Sequence, residues 1–154
     1  MRTLVLLSVI VAAPAMGQTC PSPVGWAKPV RHLAARTPPL KFALAAGTSN
    51  EIGLLPARDV QLAVRSGRAA KADTTAGLAA LDVQQAGTLD VILSAPVYVD
   101  LVRDGQVLKS TGHADLKTCP DLRKSVSFTV VPGRYIVQLS DGRAKSVRLA
   151  TVLR

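Results

Sequence analysis

The stretch from Thr88 to Ser110 constrains the fold more than any other part of the chain. Apolar residues recur at every second position at Val97, Val99 and Leu101, which is the period of a strand with one buried face. Asp104-Gly105 follows, and both residue types tolerate the positive φ that a tight primed turn requires. The pattern predicts a central β-hairpin around which the other strands are built.

Turn signals recur through the rest of the chain at intervals of about eight to twelve residues, and no segment has a convincing helical period. We therefore predict an all-β fold: a single antiparallel β-sandwich, jelly-roll-like, of about eight to nine strands. Val60–Val64 alternates and is predicted as one of these strands, whereas the polar stretch from Thr111 to Asp121 is predicted as a loop. Aromatic residues make up only 3% of the chain, so the core must be built from aliphatic side chains.

The first residues indicate an exported protein. Arg2 gives a positive start, an apolar run extends from Thr3 to Ala13, and Ala13-Pro14-Ala15 has the small-residue pattern of a cleavage site. We predict a signal peptide over residues 1–17 and a periplasmic or secreted location. Because the apolar run is shorter than the ~20 residues of a membrane-spanning helix, no transmembrane segment is expected after cleavage.

The rest of the chain is predicted to have two parts. Residues 18–39 hold five of the ten prolines, and proline removes backbone donors and disfavours helical geometry, so this segment is predicted as an extended lead-in. Trp26 lies within it and is expected to plug one end of the core. Residues 40–154 are predicted to form the β-sandwich domain.

Cys20 and Cys119 are the two cysteines of the chain. An even count in an exported chain predicts a disulfide, which here would tie the lead-in to a loop late in the sequence. The alternative is a pair of free thiols, one of them a nucleophile. No His or Asn pattern of a cysteine protease surrounds Cys119, so the disulfide is the favoured interpretation.

The formal net charge is +9, which attracts a protein to anionic surfaces. Candidate partners are therefore anionic envelope components, beside another periplasmic protein. Nucleic-acid binding needs a concentrated basic patch and, for single strands, aromatic stacking platforms. Arg123-Lys124 is the only adjacent basic pair, and no nucleic-acid partner is predicted.

No catalytic residue is predicted, because the chain has no GxSxG, no HExxH, no phosphate-cradling Gly-rich loop and no Ser-x-x-Lys motif. His32 and His113 are the two histidines, which are few for a metal centre. His113 and Asp115 could supply two ligands, with Cys119 as a third only if it were reduced. We therefore predict neither a metal site nor a cofactor.

The predicted loop from Thr111 to Asp121 is the candidate binding site, with His113 and Asp115 inside it and Arg123 and Lys124 just after it. A cysteine in the loop would anchor it, and preorganised polar groups on a tethered loop are what a binding site requires. The basic side chains favour an anionic ligand. In the alternative interpretation His113 is solvated, and Arg123-Lys124 discourages aggregation at a strand edge.

The sequence resembles two groups of exported proteins. It loosely resembles the bacterial pre-peptidase C-terminal type of β-sandwich, on Gly87–Leu93, Val99–Gly105 and Val131–Val137. It is more closely similar to a group of short exported proteins of Gram-negative bacteria. The matching residues are Cys20-Pro21, Trp26, the stretch from Val97 to Gly105, His113, Cys119, Arg123–Phe128 and Pro132–Tyr135.

The second resemblance implies one enzymatic alternative, since some members of that group are labelled homogentisate 1,2-dioxygenase. Such a dioxygenase is a much longer cytoplasmic enzyme whose iron needs two histidines and a carboxylate. The two histidines of this chain lie in unrelated segments behind a predicted signal peptide. The favoured function is therefore a binding or accessory module without catalysis. A dioxygenase and a basic envelope-surface protein are the alternatives.

Overall fold

The structure is a computed structural model that describes residues 19–41, 43–65 and 71–154. The predicted signal peptide, Phe42 and residues 66–70 lie outside the described residues. Within them, no helix could cross a membrane. The described residues form a 3-10 turn, Ala57–Asp59, and twelve strands: β1 (Val30–Leu33), β2 (Ala43–Ala45), β3 (Ser49–Gly53), β4 (Leu55–Pro56), β5 (Thr75–Val83), β6 (Gly87–Leu93), β7 (Tyr98–Arg103), β8 (Gln106–Val107), β9 (Ser110–Asp115), β10 (Lys124–Val130), β11 (Gly133–Gly142) and β12 (Ser146–Leu153).

The strands form two sheets. Sheet 1 has the order β1-β3-β12-β6-β10-β9, and sheet 2 has the order β2-β5-β11-β7-β8, with β4 also paired to β5. The predicted all-β sandwich is confirmed. It differs from the prediction in having twelve strands and in the parallel pairs β1–β3 and β2–β5. Strand β1 comes from the predicted lead-in, whose prolines flank it without entering it.

One aliphatic core joins the two sheets. In β6 the side chains of Leu89, Val91 and Leu93 are buried in this core, while the alternate positions face away from it. Two aromatic residues, Phe128 of sheet 1 and Tyr135 of sheet 2, are the largest fully buried side chains. Burying each Leu or Phe contributes about 1.5–3 kcal/mol relative to exposure, so the alternation is the main source of stability.

The predicted hairpin is present, but the prediction that it is central was wrong. Strand β7 turns into β8 through Asp104 and Gly105, whose φ angles are 51° and 73°. Two consecutive positive φ angles are the signature of a primed turn. Strand β7 pairs with β11 on its other side, so the hairpin lies at one end of sheet 2.

The predicted strand Val60–Val64 was wrong. This segment lies against the face of sheet 2 that points away from the core. There the side-chain amide of Gln138 forms hydrogen bonds with the backbone of Val64. The Val64 N–H donates to Gln138 Oε1 at 3.2 Å, and Gln138 Nε2 donates to the Val64 carbonyl at 2.9 Å. A side chain therefore takes the place of a neighbouring strand.

The predicted loop from Thr111 to Asp121 was wrong over its first half. Residues up to Asp115 belong to β9, which pairs with β10 at the edge of sheet 1. Most of its side chains are exposed, so no apolar alternation marks it in the sequence. Only the remainder, Leu116–Arg123, connects the two strands outside the sheet.

The predicted disulfide is confirmed, because Cys20 and Cys119 are bonded to each other. Around it lies a second apolar cluster, separate from the main core. Trp26 packs against this cluster. The prediction that it plugs one end of the main core was wrong. The members of the cluster are Ile92, Leu116, Cys119 and Leu122, with Trp26 packed against them. Since Leu93 and Val91 face the core, Ile92 faces outward, and the cluster covers the outer face of sheet 1.

Candidate functional site

The four residues predicted as a binding site line one cleft. They are His113, Asp115, Arg123 and Lys124, and the cleft has a volume of about 300 Å³. Its remaining lining comes from Pro96, Val97, Tyr98, Asp141 and Arg143. The structure thus adds a second wall, from sheet 2, to the residues that the sequence groups together.

The first wall is built by the pairing of β9 with β10. Asp115 is opposite Lys124, and His113 is opposite Val126. Residues opposite each other in an antiparallel pair project from the same face, and Val126 belongs to the core. His113, Asp115 and Lys124 therefore lie on the core-facing side of sheet 1, at its open edge.

The second wall comes from two segments of sheet 2. Pro96 and Val97 precede β7, and Tyr98 is the first residue of that strand. The Lys124 ammonium lies 5.2 Å from the centre of the Tyr98 ring, within the range of a cation–π contact. Tyr98 is 38% exposed, so part of it faces solvent.

A bulge in β11 brings Asp141 and Arg143 to the cleft. The pairing of β11 with β5 shifts register between Leu139 and Gly142, and Asp141 has a φ of 53°. A bulge leaves one residue unpaired and redirects the side chains around it. Gly142 is required there because a Cβ atom at this position would lie 2.7 Å from Thr75 Oγ1.

Both carboxylates of the cleft are held by cations. Asp115 lies 2.7 Å from Lys117 Nζ and 3.9 Å from Arg123, and Asp141 lies 3.6 Å from Lys71 Nζ. The hydrogen bond from the Lys117 side chain, followed by that from its backbone N–H, lowers the pKa of Asp115 below its ordinary value. Asp115 is therefore anionic at neutral pH and is already paired.

Backbone hydrogen bonds hold both ends of the segment that connects β9 to β10. The N–H of Leu116 donates to the Arg123 carbonyl, and the N–H of Arg123 donates to the Leu93 carbonyl of β6. Leu116 and Leu122 are buried in the cluster around the disulfide. The backbone of Arg123 is therefore held in place by a hydrogen bond to β6, and the segment before it is anchored by the disulfide of Cys119.

Other residues named from the sequence lie elsewhere. His32 does not line the cleft; its Nε2 is 3.1 Å from Asn50 Oδ1, between β1 and β3. Cys119 is oxidised and supplies no thiolate. Across residues 19–41, 43–65 and 71–154, no three His, Cys, Asp or Glu side chains converge as a metal would require.

Tyr98, Asp141 and Arg143 were missed by the sequence reasoning. Asp141-Gly142 is a residue pair typical of a tight turn, and Tyr98 lies in the stretch predicted as the central hairpin, so neither pattern indicated a binding site. These two segments lie beside β10 only because sheet 2 packs on sheet 1, and no local sequence pattern reveals that packing. The one available signal was Asp141-Gly142 inside an alternating segment, since a Gly within a strand suggests a bulge.

Comparison of the chain with models of protein families, with curated proteins and with solved structures found no match. The two resemblances described above therefore remain expectations. The cleft has to be interpreted from its own residues.

Proposed function

We propose that this chain is an exported binding module, periplasmic or secreted, that holds a small anion in the cleft and performs no catalysis. One observation carries the proposal: Arg123, Lys124 and Arg143, from segments distant in sequence, line the same cleft as His113. The volume of about 300 Å³ is at the lower end of the range of small-molecule sites. A disulfide-bonded β-sandwich with a predicted signal peptide is consistent with an oxidising compartment.

A larger groove of about 460 Å³ lies on the outer face of sheet 2, but its charged side chains already interact with neighbouring residues. Arg134 forms a two-pronged ion pair with Asp82, whose pKa the Arg134 hydrogen bond lowers. Arg103 donates to the Tyr135 hydroxyl and lies 3.6 Å from Asp104. In the smaller cleft Arg123 also lies near a carboxylate, Asp115, but Arg143 forms no ion pair among the described residues. The smaller cleft is therefore the better candidate for recognition of an anion.

The test is an NMR titration with inorganic phosphate, sulfate, citrate and acetate at low salt. We expect shifts confined to His113, Lys124 and their neighbours, and loss of those shifts in Arg143→Ala and Lys124→Ala. Lys109→Ala removes an exposed charge that does not line the cleft and serves as the matched control. Equal shifts at Lys109 and Lys124 would mean that anions only bind the basic surface.

Export is tested separately with the full chain expressed in a Gram-negative host. Cell fractionation should place the protein outside the cytoplasm, with a mature N-terminus near Gln18. Retention of Met1 in a cytoplasmic fraction would exclude the predicted signal peptide. The dioxygenase alternative would be supported by stoichiometric iron together with oxygen uptake on homogentisate.

A further inference from the structure

The side chains of the cleft that can donate hydrogen bonds to an anion approach it from three parts of the chain. Arg123 directly precedes β10 and Lys124 begins it, Arg143 follows the β11 bulge, and His113 comes from β9. Donors arranged in this way suit an acceptor with oxygens pointing in several directions. A tetrahedral oxyanion has that shape, whereas a carboxylate offers two oxygens in one plane.

The charge balance favours more than one negative charge. Two cations outside the lining, Lys71 and Lys117, are paired with Asp141 and Asp115. Counting them, five Lys and Arg side chains surround two carboxylates. Among the described residues Arg143 forms no ion pair, and its guanidinium is exposed at the cleft. A phosphate monoester, with a charge of about −1.5 to −2 and three acceptor oxygens, matches this surplus better than a monoanion does.

Part of the second wall is apolar. Pro96 and the exposed part of the Tyr98 ring lie beside the cationic groups, so a ligand with a carbon body can bury part of it there. Inorganic phosphate would leave this surface uncovered. The volume of about 300 Å³ limits the ligand to a small molecule or to the head group of a larger one.

We propose that the cleft selects phosphate monoesters. In this arrangement Arg123, Lys124 and Arg143 hold the phosphoryl group, and the carbon portion packs against Pro96 and Tyr98. The proposal rests on the proposed function, because it specifies the anion that the same cleft binds. The monoester could be a free metabolite or the head group of a lipid, and both present the same chemistry.

Isothermal titration calorimetry with phenyl phosphate and phenyl sulfate tests the charge requirement, since the two share one carbon body. We expect phenyl phosphate to bind at least about tenfold more tightly than phenyl sulfate. Arg143→Ala should weaken phenyl phosphate about tenfold, and Lys109→Ala should leave it unchanged. Tyr98→Ala should reduce the advantage of phenyl phosphate over inorganic phosphate, with circular dichroism confirming that the variant is folded.

Two results separate this inference from the proposed function. If phenyl sulfate binds as tightly as phenyl phosphate and Arg143→Ala weakens both, the anion cleft stands and the selectivity for monoesters is wrong. If neither compound nor any simple anion binds, both proposals fail.

Vesicles distinguish the two sources of the monoester. Phosphatidic acid carries a phosphate monoester, whereas phosphatidylglycerol carries a diester. Preferential binding to phosphatidic acid vesicles, displaced by phenyl phosphate, assigns the site to a lipid head group. Binding of phenyl phosphate without a preference between vesicles assigns it to a soluble monoester. Equal binding to both vesicles, with no preference for phenyl phosphate over phenyl sulfate, overturns the proposal.

Discussion

The two outer faces of the sandwich are both covered by chain outside the sheets, but they are held in different ways. On sheet 1 the Leu116–Leu122 segment and Trp26 form an apolar cluster around a covalent bond. On sheet 2 the segment up to Val64 is held through the buried amide of Gln138. The first cover contains a covalent bond that requires oxidation. The second is held by hydrogen bonds, two of them to the Gln138 side chain and another from the Gln61 N–H to the Arg36 carbonyl.

The difference bears on function because only the first cover is continuous with the cleft. Leu116–Leu122 leads directly into Arg123 and Lys124, while Val64 and Gln138 lie on the opposite side of sheet 2 from the core and line no part of the cleft. We therefore expect damage to the first cover to affect both stability and binding. Damage to the second should affect stability alone.

The largest expected effect comes from removing the covalent link. Cys20→Ser with Cys119→Ser should lower the free energy of unfolding by about 2–5 kcal/mol, as loss of a native disulfide in a small exported domain does. Urea denaturation measures this loss, and anion affinity should fall with it. Reductant should destabilise the parent protein but leave the double variant unchanged. Equal stability of the two proteins would mean that the apolar cluster alone holds the cover.

The next effect is expected at Gln138, whose side chain is fully buried. Gln138→Leu keeps the volume but leaves the Val64 N–H and carbonyl without partners, which should cost about 1–3 kcal/mol. Gln84→Leu, at an exposed position, is the matched control. Anion affinity should be unchanged. A loss of affinity equal to that of the disulfide variant would contradict the proposed separation of the two covers.

A polar network on the same outer face as the apolar cluster gives the third prediction. Burial raises the pKa of Asp90, but hydrogen bonds from Arg154 and Ser127 outweigh it and lower the pKa below the ordinary 3.8. The stabilisation is therefore fully present above pH 3.8 and is lost as the pH falls through the lowered pKa.

Asp90→Asn should cost about 1–2 kcal/mol at neutral pH and should flatten the dependence of stability on pH below that value. Urea titrations at several acidic pH values measure this. Asp104→Asn, at a side chain that is 91% exposed, should leave the acid profile unchanged. An Asp90→Asn profile parallel to that of the parent would show that other carboxylates dominate.

The smallest effect is expected at Trp26, whose buried indole Nε1 has no hydrogen-bond partner within the part of the chain that the structure describes. Trp26→Phe removes that unsatisfied donor but also some packing, so the two changes should nearly cancel, to within about 1 kcal/mol. Denaturation followed by circular dichroism measures it. A loss as large as that of the disulfide variant would mean that the indole, rather than the covalent bond, supports the cover.

The alternation in the sequence predicted the interior well, because burial on one face repeats locally. It failed at Val60–Val64 because the same alternation arises whether a segment pairs with a strand or lies on a sheet, and the partner Gln138 is remote in sequence. It also failed at Ser110–Asp115, where an exposed edge strand carries no apolar period.

About half of the cleft could also be predicted from local sequence. His113, Asp115, Arg123 and Lys124 are near one another in sequence, so a local interpretation grouped them. Arg143 reaches the cleft through a bulge and through the packing of two sheets, both of which depend on distant pairings. The preceding Gly142 is a local sign of the bulge, but it does not indicate which part of the other sheet lies beside Arg143.

The position of β12 limits when the protein can fold. This strand lies between β3 and β6, so before Ser146–Leu153 is available the segments of sheet 1 remain two fragments with unpaired edges. Pairings between residues so distant in sequence form slowly, and unpaired strand edges favour aggregation while they persist. Sheet 1 can therefore be completed only after Ser146–Leu153 has been delivered, whether in the cytoplasm or after the proposed export.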